Sequence, residues 1–140
     1  MSKAIHNIIL FAVLSASSVF AAEASRPKSK LNPNDFLECS VTYFTYLYVL
    51  QEGEYKNKDK LAAIKELALM SGSIAQSLSS SNIEADFKNK LTTNLAKTRK
   101  EILGQGLNHY LSHAEPKMKS CDSLIQSNGR EIYEILYKRN

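Results

Sequence analysis

Between residues 36 and 50 the chain is so densely apolar and aromatic that only an architecture covering it from several sides can keep it out of water. At 100° per residue, Phe36, Tyr43, Leu47 and Leu50 fall within one narrow stripe. Cys39 and Tyr46 flank it on one side, Leu37 and Phe44 on the other, leaving Glu38, Thr42, Thr45 and Val49 as the evident outer strip. A surface helix shows a broader polar face, so this segment is expected at the centre of its domain. Its ends carry helix punctuation. Asn32 suits a cap, Pro33 the first helical position where a backbone N–H would be unpaired anyway, Asp35 the positive helix end, and Gly53 the stop. Val, Thr, Tyr and Phe also favour strands, which makes a strand over residues 41–50 the competing reading. No other segment supplies a convincing strand to pair with it.

Helical periodicity continues along the chain. From Asp59, the residues Leu61, Ile64, Leu67, Ala68, Ser71, Ile74, Ala75 and Leu78 cover about half a wheel and end at Ser79-Ser80-Ser81. Ser81 and Glu84 stand at capping-box spacing ahead of a third helix from about Asn82, with Ile83, Phe87, Leu91, Leu95 and Ile102 on its inner face. Gly104 and Gly106 predict a kink or short break, after which Leu107, Tyr110 and Leu111 resume the apolar face. Pro116 disfavours a helical Glu115, so this segment is expected to end by about Ala114. Met118, Cys121, Leu124 and Ile125 give a further helical face, and Asn128 with Glu131 a second capping pair ahead of a short last helix through Ile132, Ile135 and Leu136. The expected fold is therefore all-α, a compact bundle of four to five helices.

The N-terminus reads as an export signal. Lys3 supplies a positive start, residues 8–14 an apolar stretch, and Val19-Phe20-Ala21 and Ala22-Glu23-Ala24 two small-residue cleavage sites. The stretch falls short of the roughly 20 apolar residues that span a bilayer, so no membrane anchor is expected after cleavage. The organisation that follows is a signal over residues 1–21, with cleavage after Ala24 as the variant, a polar lead-in over residues 22–31 and one helical domain over residues 32–140. No N-x-S/T sequon is present, and a periplasmic or secreted location is expected. In an oxidising compartment the two cysteines, Cys39 and Cys121, read as a disulfide that staples the first helix to a late one.

Charge and motifs exclude more than they assign. Eighteen basic against 14 acidic residues give +4, and loss of Lys3 on cleavage leaves 17 against 14, or +3, too small an excess to indicate nucleic acid. Lys88, Lys90, Lys97, Arg99 and Lys100 spread around their wheel, as a solvated exterior does. No CxxCH is present for covalent haem, and no cofactor is expected. His109 and His113 stand at i, i+4, the spacing of a two-ligand metal site, with Glu115 as a conceivable third donor. The residue after His109 is Tyr110, so the general base of HExxH is missing; the plain reading is two surface histidines near a helix end. Among the tyrosines, Tyr48, Tyr110, Tyr133 and Tyr137 are the candidates for a binding surface, against the plain reading of core aromatics with hydroxyls at the rim.

Cys39-x3-Tyr43-Phe44 on an apolar first helix, with His113-x7-Cys121-x2-Leu124-Ile125 near the end, resembles small secreted bacterial helical proteins with one cysteine pair. The resemblance implies the helical fold, the disulfide and export, and carries no activity or catalytic residue. The functional expectation is an exported non-catalytic protein that binds another protein, as an inhibitor, immunity factor or chaperone-like accessory. The alternative is a binder of a small apolar ligand, such as a lipid or non-covalent haem, between the helices. An enzyme would require a cleft joining His109 or His113 to two carboxylates.

Overall fold

The computed structural model describes residues 29–138. The export signal and its cleavage sites lie outside the described residues. Five helices follow in order: α1 Pro33–Glu52, α2 Lys58–Leu78, α3 Glu84–Gln105, α4 Leu107–Ser127 and α5 Gly129–Tyr137, with no strand among the described residues. The strand alternative for residues 41–50 therefore falls, and the bundle expectation stands.

α1 begins as its sequence signals. The Asn32 side chain accepts from the Asn34 N–H, Pro33 occupies the first turn, and Gly53 caps the far end by donating to the carbonyls of Gln51 and Val49. The helix packs against α2, α3 and α4. Partner pairs fix its neighbours' directions. Ser40 donates to the Ala68 carbonyl while Phe36, one turn earlier, clusters with Ile74 and Ala75 further along α2, so α2 runs antiparallel; Glu38 meets Lys90 and Glu52 meets Arg99, so α3 runs parallel. Cys39 joins Cys121 while Tyr46 lies beside Tyr110, so α4 runs antiparallel. The result is an up-down-up-down bundle with α1 in contact with all three others.

Burial of α1 exceeds the sequence expectation. Thr45 and Val49, assigned to the outer strip, are buried. Thr45 is accommodated because its hydroxyl donates to the Val41 carbonyl and accepts from Asn94 on α3, which satisfies both of its polar functions. Toward α2 the helix approaches closely over small residues. A Cβ added at Gly72 would sit 3.2 Å from the Ser40 hydroxyl, so glycine at 72 sets the separation there. A second cluster of Phe36, Leu37, Ile74, Ala75 and Ile132 closes the end where α5 docks on α2 and α4.

Several local expectations are corrected. α2 is capped by Asn57, whose side chain accepts from the Lys60 N–H. The Ser81–Glu84 capping box does not form; the Glu84 N–H goes to Asn82 Oδ1, and Gln76 spans the turn by donating to the Ser81 carbonyl and accepting from the Ile83 N–H. The Asn128–Glu131 pair does not form either, because the Asn128 amide donates back to the Leu124 carbonyl. Pro116 does not end its helix, which continues from Leu107 to Ser127. Continuity keeps Ala114, Met118, Cys121 and Ile125 packed against one core, and the disulfide holds this part of α4 on α1. Those contacts outweigh the roughly 3 kcal/mol penalty of an interior proline.

The break predicted near the glycines is a single residue. Gly106, with φ 90° and ψ 163°, adopts backbone geometry open essentially to glycine alone, and it reverses the chain from α3 into α4. Leu107 does not rejoin the apolar face after it; it is exposed, as is Leu103.

Candidate functional site

At the tip formed by this reversal, side chains from both helices converge. His109 and His113 lie one turn apart on α4, their rings nearly perpendicular with centroids 4.5 Å apart. Facing them from the last turns of α3 is Glu101, whose Oε1 lies 3.5 Å from His109 Nε2 and 3.2 Å from His113 Nδ1. One oxygen thus serves both rings. The three donor atoms all lie within 4.8 Å of one another, and the group is reached from solvent through the exposed side of His113. Glu115, the donor considered from sequence, is not part of this cluster. The sequence offered no route to Glu101, because its approach depends on the chain reversing at Gly106 rather than on any spacing within one helix.

The tyrosines sort into three environments. Tyr110, a surface candidate from sequence, is buried against Tyr46; a helix that folds back antiparallel brings it onto α1. Burial, then the neighbouring Tyr46 and Glu101, hold its phenol above the ordinary range. Tyr48 is half-buried with Arg99 over its ring face, 5.5 Å from the centroid, and Arg99 also reaches Glu52 at 2.6 Å. Its face is thus taken by α3. Tyr133 and Tyr137, by contrast, are 57% and 68% exposed, with ring centroids 5.1 Å apart on the outer side of α5. They lie at the end of the bundle opposite the histidine cluster.

Tyr43 belongs to the core. Its hydroxyl donates to Asp122, the residue after Cys121, so the disulfide and this hydrogen bond tie α1 to α4 at adjacent positions. Burial first, then the hydrogen bond to the Asp122 carboxylate, pushes the Tyr43 phenol well above its usual range. The basic stretch of α3 is likewise less free than its wheel implied. Lys90 pairs with Glu38 at 2.6 Å and Arg99 with Glu52, two bridges that set α3 in register with α1.

No helix among the described residues is long and apolar enough to cross a membrane. Comparison of the chain with protein-family models, with curated proteins and with solved structures finds no match.

Proposed function

We propose that this chain is exported and acts, without catalysis, by binding another protein through the outer face of α5. The observation that carries the reading is the Tyr133–Tyr137 pair, two large aromatic side chains held side by side in solvent. α5 is anchored from its other side by Ile132, which is buried against α2, so the pair is presented on a docked rather than a free helix. Tyrosine supplies extensive amphipathic contact area at small entropic penalty, and aromatic residues are enriched at protein interfaces. A disulfide between α1 and α4 supports the export reading, since such bonds persist in oxidising compartments.

The test is affinity capture from periplasmic extract and culture supernatant with the mature chain and with Tyr133→Ser/Tyr137→Ser, followed by mass spectrometry. A stoichiometric protein retained by the first and lost by the second is the expected outcome. Capture undiminished by the double substitution would remove α5 as the contact face. A small apolar molecule extracted in place of a protein would favour the ligand-binding alternative.

A further inference from the structure

We propose that Glu101, His109 and His113 form a binding site for one divalent transition-metal ion of the zinc class. This is independent of the protein-binding reading and lies at the other end of the bundle. Two imidazoles and a carboxylate, without thiolate, are a donor set suited to Zn2+ and its neighbours and poorly suited to Ca2+ or Mg2+, which take oxygen ligands.

The geometry supports it in three ways. Zn–N and Zn–O bonds of about 2.0–2.1 Å in a tetrahedron put donor atoms about 3.3–3.4 Å apart. The two edges from Glu101 Oε1, at 3.5 Å to His109 Nε2 and 3.2 Å to His113 Nδ1, bracket that spacing, and the third lies within 4.8 Å. Next, the donors come from two helices that are each held on the core by other residues: α4 by the disulfide to α1 and by Tyr110 against Tyr46, α3 by Leu91, Leu95 and Ile102. The site is therefore held in shape by the bundle rather than by the ion. Finally, both ring nitrogens lie within 3.5 Å of one carboxylate oxygen, so all three donors are already gathered and none has to be brought in from elsewhere in the bundle. The cluster is open to solvent on the His113 side, so water can complete the coordination.

The experiment is isothermal titration of the purified, tag-free chain with ZnCl2. Binding of one ion per chain in the micromolar range or tighter is expected. His109→Ala, His113→Ala and Glu101→Gln should each weaken it by at least the ~10–100-fold that even a supporting hydrogen-bond partner of a metal ligand contributes. Glu115→Gln should leave it unchanged. Far-UV circular dichroism and melting temperature establish that each variant is folded, and visible absorption of the Co2+-loaded chain reports the ligand field directly, with tetrahedral bands lost in the double histidine variant. Absence of saturable binding up to millimolar Zn2+, or stoichiometric binding that survives His109→Ala/His113→Ala, would overturn the proposal.

Discussion

Replacing both Cys39 and Cys121 with alanine tests how much of this fold depends on one covalent closure. The crosslink spans 82 positions and joins α1 to α4 at a Cα–Cα distance of 5.5 Å. On the chain-entropy relation, a loop of that length removes about 15 cal/mol/K from the unfolded ensemble, or about 4.5 kcal/mol at 25 °C. A domain of this size changes its melting temperature by about 4 °C per kcal/mol, so the variant should melt about 18 °C lower. Alanine is the appropriate replacement because both positions are buried, and serine would add the penalty of an enclosed hydroxyl. Reduction of the unaltered protein removes the bond while leaving both sulfurs in the core, so the two perturbations bracket the closure contribution. Thermal denaturation followed by circular dichroism, with and without reductant, is the assay. The folded spectrum should be unchanged at low temperature, because the effect acts on the unfolded chain. A drop of less than about 4 °C in both experiments would refute the reasoning, since it would mean that the unfolded chain already holds α1 near α4 without the bond.

Pro116→Ala should stabilise the protein by up to about 3 kcal/mol, because the residue is solvent-exposed in the interior of α4 and alanine restores a backbone donor there; a lower melting temperature would show that proline at this position is needed for packing. Alkaline stability depends on Tyr43 and Tyr110, whose phenols are raised above the value of about 10 they would have in an unfolded chain. Their contribution is complete below about pH 10 and falls as pH rises toward the folded values, by up to about 1.4 kcal/mol per pH unit for each. Urea midpoints measured between about pH 9 and 11.5 should fall in the unaltered chain and less steeply in Tyr43→Phe; an identical slope in the two would remove Tyr43 from the account.

The sequence alone determined the all-helical class and the central place of α1, though not where every helix ends. A 3.6-residue period is local, and a segment apolar nearly all round, from Phe36 to Leu47, has few alternatives to enclosure. It also determined the Asn32-Pro33 start and the need for a break near Gly106, since caps and backbone freedom are properties of a few adjacent residues. The pairing of Cys39 with Cys121 was legible because a chain with only two cysteines offers one intramolecular pairing. Other features were decided by tertiary structure. Ser81, Asn128 and Pro116 each carried a local signal that failed, because Gln76, the Leu124 carbonyl and the α4–core contacts supplied stronger partners from outside the motif. Thr45 and Tyr110 went inside because α3 and α4 cover α1 on faces that a helical wheel drawn in isolation leaves to water. The same folding-back at Gly106 places Glu101 against His109 and His113: sequence gives the i, i+4 pair, but the third donor comes from another helix, and its position depends on how α3 and α4 pack.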